Sequence, residues 1–102
     1  MITWAFFCKS DVCDAEKHNV VLNHITGRLL IYCVKSIEQA IELANHLIDE
    51  ENCSLIELCG GFEKEGAKRL SDGISGRIGI GHVEFLPGER EKFHAYKASL
   101  GL

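Results

Sequence analysis

Three features of the chain predict an α/β fold built on a compact, mainly parallel four-stranded sheet. Short apolar runs recur at residues 2–8, 28–34, 54–59 and 77–85. Residues 36–49 and 63–70 between them, and 89–100 after them, carry apolar side chains at helical spacing. The resulting order, strand then helix repeated along the chain, is that of parallel strands joined by right-handed crossover helices. At 102 residues the chain has room for one core. Residues 1–86 are read as the compact α/β unit and residues 87–102 as a C-terminal helical extension of the same domain.

The first run, 2–8, is almost wholly apolar, which suits a strand covered on both faces. Polar residues 9–14 break it, and Asp14 is placed to cap a short helix with Glu16 near its positive end. Residues 20–22 fit either the end of that helix or an extended segment. An extra strand there would give a ferredoxin-like α+β arrangement instead. Gly27 marks a turn before the second strand, 28–34.

Ser36 stands three positions ahead of Gln39, the pattern of a capping box. From that cap Ile37, Ala40, Ile41, Ala44, Leu47 and Ile48 line one helical face, Glu38, Glu42, Asn45 and Asp49 line the other, and Asn52 closes the helix. The third strand, 54–59, holds one acidic residue, Glu57. After Gly60 and Gly61 a second helix turns Ala67 and Leu70 inward. In the fourth strand, 77–85, Gly79 and Gly81 permit close approach on one face while Ile78 and Ile80 fill the other. Pro87 and Gly88 end it, and Phe93, Tyr96 and Leu100 give the C-terminal helix a narrow apolar stripe.

Composition narrows the function classes. Apolar residues make up 46% and charged residues 25%, a balance that folds. A formal charge of −4 gives no positive field to gather a nucleic acid or an acidic membrane surface. No apolar run approaches the roughly 20 residues that cross a bilayer. The N-terminus reads as a strand rather than an export signal, so a cytoplasmic location is expected. Five cysteines, Cys8, Cys13, Cys33, Cys53 and Cys59, contain no Cys-x-x-Cys pair. Three of them fall in or beside apolar strand patterns, where free thiols act as small hydrophobes; a disulfide framework is not expected, and no metal site or particular cofactor is signalled.

The run Ile56-Glu-Leu-Cys-Gly-Gly-Phe62, followed by Glu65, Gly66 and Arg69, resembles a family of small bacterial proteins known only as a domain of unknown function. The resemblance extends over about residues 2–85, and the chain after Pro87 is longer than that family's pattern. It implies a compact α/β fold and assigns no catalytic role.

In open α/β sheets, ligands gather where strands end and helices begin. Cys59, Gly60, Gly61 and Phe62 occupy such a junction, with Arg69 and His18 as further ligand-binding candidates. The plainer reading is a tight turn, since neither a P-loop nor a dinucleotide fingerprint is present. Glu57, in an apolar strand, is a candidate acid or base, or else an ion-paired or exposed carboxylate. His82 would approach it if the third and fourth strands are neighbours, giving a pair able to move protons. Cys59 at a strand end is a candidate nucleophile or an inert thiol. Three readings follow: a homo-oligomer binding a small molecule at the 59–62 turn; a small enzyme using Glu57, Cys59 and His82 on a metabolite; and a structural or protein-interaction module.

Overall fold

Five strands, one more than expected, form a single sheet in a computed structural model that describes all 102 residues. They are β1 (Ile2–Lys9), β2 (Asn19–His24), β3 (Gly27–Val34), β4 (Leu55–Leu58) and β5 (Gly79–His82), in the order β2-β3-β1-β4-β5. β1 runs parallel to β3 and β4, and β5 runs parallel to β4. Only β2 is antiparallel, paired with β3 from Asn19 opposite Tyr32 to His24 opposite Gly27. The extra strand is the 20–22 run, whose apolar residues are too few to declare their period alone. Its pairing as an edge hairpin leaves the mainly parallel core intact, so the ferredoxin-like alternative is not the observed topology.

Gly27 is required where β3 begins. A Cβ there would lie 1.8 Å from the Ile2 carbonyl oxygen, so a side chain at this position would drive β3 away from β1.

Two crossover helices, α1 (Ile37–Glu51) and α2 (Glu63–Gly73), pack on one face of the sheet. Ser36 caps α1 as expected, its Oγ accepting from the Gln39 amide at 3.1 Å, and Asn52 ends it in the left-handed conformation at φ 56°. The reciprocal half of the capping box is absent. Gln39 instead accepts from the Lys35 and Ala15 amides and donates to Asp14, tying residues 14–15 to the helix. The short helix expected at Asp14 is a turn. Asp14 Oδ1 accepts from the Glu16 amide, and its own N–H donates to His18 Nδ1, satisfying the backbone without a helix.

The side chains that β1, β3 and β4 turn toward these helices form the core. Ala5, Phe7, Val34, Ile56 and Leu58 are fully buried there, with Ala40, Ala44, Leu47, Leu70 and Ile74 opposite. Fully burying a large side chain of this kind contributes about 1.5–3 kcal/mol. Gly66 and Gly73 bring α2 against α1; a Cβ on Gly73 would fall within 2.9 Å of three Ile41 side-chain atoms.

The opposite face has no helix over it, contrary to the expectation that β1 is covered on both sides. By register it presents Trp4, Phe6, Leu29, Ile31, Val20, Leu22, Leu55 and one charged side chain, Glu57. α3 (Glu89–Ser99) does not cover it either. Phe93, Tyr96 and Leu100 are all more than half exposed, and from Glu91 onward every residue is exposed. No helix is long and apolar enough to cross a membrane.

Candidate functional site

The C-terminal ends of β1, β3, β4 and β5 lie along one edge of the sheet, where a parallel arrangement leaves a crevice. β4 ends at Leu58. The Cys59 amide still donates to the Phe7 carbonyl at 2.9 Å, and the chain then turns through a 3-10 segment, Gly60–Phe62, into α2. Glu63 begins that helix at φ 59° and ψ 176°, a region that is almost exclusively glycine's and costs about 1–3 kcal/mol. Its amide donates to the Gly60 carbonyl, which also accepts from Arg90 at 3.0 Å. The Phe85 ring lies against Gly60 so closely that a Cβ there would be 2.8 Å from it, and the Arg90 guanidinium stacks on that ring 5.2 Å from its centroid. Beside this contact is a cavity of about 370 Å³ whose lining includes Glu63, Lys64, His82, Glu84, Phe85 and Arg90. His82 Nδ1 is buried there without a hydrogen-bond partner, while Nε2 is 3.7 Å from Glu84.

Glu57 and His82 are not brought together. Glu57 is level with Gly81 and turns to the open face, whereas His82 is level with Leu58 and turns to the helix face. β4 and β5 are neighbours, which is the condition for that pairing, but the register is offset by one residue from the one it requires, and a one-residue offset puts a side chain on the other face. Glu57 is exposed and makes no ion pair. Two arginines near the sheet are engaged elsewhere, Arg28 with Glu51 at 3.7 Å and Arg77 with Asp49 at 2.6 Å.

Other candidates also separate. His18 precedes the edge strand β2, its carbonyl accepting from Cys33 on β3, so it stands three strand intervals from the Gly60 turn, about 14 Å at normal strand spacing. Phe62 is a core side chain, 3% exposed. Arg69 bonds Glu38 across the two helices at 3.0 Å and holds that carboxyl below its usual range. Gly60 and Gly61 remain at the junction; a Cβ on Gly61 would meet Cys59 Sγ at 3.5 Å, an ordinary contact.

Cysteines gather here as the sequence did not announce. Cys8 is in register with Cys33 on the neighbouring strand, and Cys33 is disulfide-bonded to Cys13, with Cα atoms 5.7 Å apart. This one disulfide corrects the expectation that the cysteines form no disulfide framework. On the other side of β1 Cys8 stands level with Cys59, the residue after the Phe7–Leu58 pair. Burial pushes the Cys8 pKa up, and Cys59 pushes it further the same way. The signal available beforehand was position, since Cys8, Cys33 and Cys59 each fall at the end of an apolar run. Only the strand order makes them adjacent. No group of three or more metal-ligating side chains is arranged to hold an ion.

Residues 2–98 match the model of DUF6506, described as a family of unknown function. The chain belongs to that family. No curated protein and no solved structure matches it. The DUF6506 match runs through nearly all of α3, so the helix after Pro87 lies within the family's span rather than forming an extension beyond it.

Proposed function

We propose that this DUF6506 chain is a homodimeric small-molecule-binding protein, in which α3 of each copy lies across the open sheet face of the other. The observation that carries the reading is the pair of unpartnered apolar surfaces on one chain: the helix-free sheet face, and the Phe93, Tyr96 and Leu100 stripe. At ordinary strand rise and spacing the five strands offer about 500 Å² in projection. Adding the face of a three-turn helix brings the total toward the roughly 800 Å² per partner of a stable interface. Glu57 is the one charged side chain on the sheet face, and Lys97 lies next to Tyr96 on the stripe, so the two surfaces also match in charge. The cavity beside Gly60, Phe85 and Arg90, whose mixed cationic and anionic lining suits a polar metabolite, is the proposed binding site. The same reading keeps the protein in the cytoplasm.

Native mass spectrometry of gently purified protein, followed by denaturation of the same sample, tests both halves. The expected result is a dimer carrying a small molecule that is lost on Gly61→Leu with folding intact. A chain lacking residues 89–102 should run as a monomer. A native monomer refutes the assembly, and a dimer without cargo refutes the binding reading while leaving the interface standing.

A further inference from the structure

We propose that Cys13, Cys33, Cys8 and Cys59 form an intramolecular thiol–disulfide relay that moves a disulfide from Cys13–Cys33 to Cys8–Cys59 across three adjacent strands. The geometry carries it. Cys33 and Cys8 are paired residues of parallel strands, and their side chains leave the same face. Cys59 follows the last paired residue of β4 and stays bonded to β1 through its amide, which donates to the Phe7 carbonyl, so it stands level with Cys8. Neighbouring strands lie about 4.8 Å apart, inside the roughly 4.4–6.8 Å between Cα atoms that a disulfide spans. Cys8 can therefore bond to either neighbour without displacement of a strand.

The exchange balances without an outside reagent. In the first step the Cys8 thiolate attacks Cys33 Sγ. The Cys8–Cys33 bond forms, the Cys13–Cys33 bond breaks, and its electron pair leaves on Cys13, which takes up the proton that Cys8 gave. In the second, the Cys59 thiolate attacks Cys8 Sγ, the Cys8–Cys59 bond forms, and Cys33 leaves and takes the proton from Cys59. One disulfide and two thiols stand on each side. The two ends differ in surroundings. Cys13 sits in the turn after β1 and is itself partly exposed, so this end can meet a low-molecular-weight or protein disulfide that loads the pair. The receiving pair adjoins the Gly60–Gly61 turn, so its oxidation would tie β1 to the rim of the crevice. In a reducing compartment a disulfide of this kind is exchanged rather than kept.

The sequence makes the test direct, because Lys9, Lys17, Lys35 and Glu57 separate all five cysteines into different peptides under cleavage at lysine and glutamate. The intact protein is loaded with one disulfide from oxidised glutathione, desalted, held at pH 7, 8 and 9, trapped with N-ethylmaleimide at intervals and mapped without reduction. Cys8–Cys59-linked peptides should replace Cys13–Cys33-linked ones, about tenfold faster for each pH unit, because the rate follows the thiolate fraction below the thiol pKa. Cys59→Ser should remove that product and let Cys8–Cys33 be captured. Cys8→Ala should leave Cys13–Cys33 alone. Cys53, buried at the other end of β4, should stay unlinked throughout and serves as the internal control. Persistence of Cys13–Cys33 at pH 9 with Cys8 and Cys59 both trapped as thiols overturns the relay. So does failure of Cys13–Cys33 to form, or an unchanged exchange rate in a Cys8→Ala chain whose circular dichroism is native. None of these outcomes depends on whether the protein is a dimer.

Discussion

The two faces of this sheet are made by the same strands from similar apolar residues, yet only one is finished. On the helix side Phe7, Ile56 and Leu58 are completely buried beneath α1 and α2. On the other side Val20 and Leu22 are each 55% exposed and Glu57 stands in solvent. The cause lies in the connections: β3 to β4 and β4 to β5 step in the same direction across the sheet, and right-handed crossovers in one direction put both helices on one face. The third helix follows the last strand and is not obliged to return. The covered face holds the fold together, and the uncovered sheet face and helix stripe are the surfaces on which the proposed dimer rests.

The sharpest break between the faces comes from a pair of substitutions, one on each face of the sheet. Phe7→Ala should cost about 3–5 kcal/mol, since the ring is enclosed by core side chains and meets Tyr32 edge-on. Leu22→Lys, at an exposed position, should change monomer stability by about 0.5 kcal/mol or less while abolishing the dimer. Urea unfolding at protein concentrations low enough to hold both variants monomeric gives the first contrast, and light scattering at high concentration gives the second. If Leu22→Lys still dimerises, the open face is not the interface.

That asymmetry was only partly legible in the sequence. The long runs gave β1 and β3, and Ser36 with Asn52 bounded α1, because caps and period are local signals. β2 was ambiguous, since Val20, Val21 and Leu22 are consecutive and show neither a period of two nor one of 3.6. Register was the harder loss. Whether Glu57 faces His82 or Gly81 depends on one residue of offset between β4 and β5, which neither strand encodes by itself. The cysteine cluster was hidden for a similar reason. Cys8, Cys33 and Cys59 are far apart along the chain and become neighbours only through strand order, while a spacing search looks for Cys-x-x-Cys.

A smaller effect tests how tightly the covered side is built. Gly73→Ala places a methyl group against Ile41, where overpacking typically costs about 1–3 kcal/mol. Alanine's better helix propensity offsets little of this, because Gly73 is the last residue of α2. A net loss of about 1–2 kcal/mol is expected. If the clash with Ile41 is the cause, Gly73→Ala combined with Ile41→Ala should lose less than the two single changes added together. Simple additivity would mean that α1 and α2 are not in the contact described.

The smallest effect concerns the turn that joins the first strand to the edge hairpin and binds it to the covered side. Asp14 Oδ1 accepts from the Glu16 amide at 3.0 Å and from the Gln39 side chain at 3.2 Å. The amide first, then Gln39, hold the Asp14 carboxyl below its ordinary value of 3.8. A carboxyl whose pKa is lower folded than unfolded adds stability above the unfolded value, and loses it as pH falls through the folded one. Wild-type stability should therefore decline below about pH 4, and part of that decline should vanish in Asp14→Asn, which keeps an acceptor oxygen but cannot titrate. Urea midpoints measured from pH 6 down to pH 3 read the difference as a shallower slope in the variant. Identical slopes would mean that the Asp14 hydrogen bonds are no stronger for the ionised carboxyl than for the neutral one, and that the tie from this turn to α1 rests on the Gln39 amide alone.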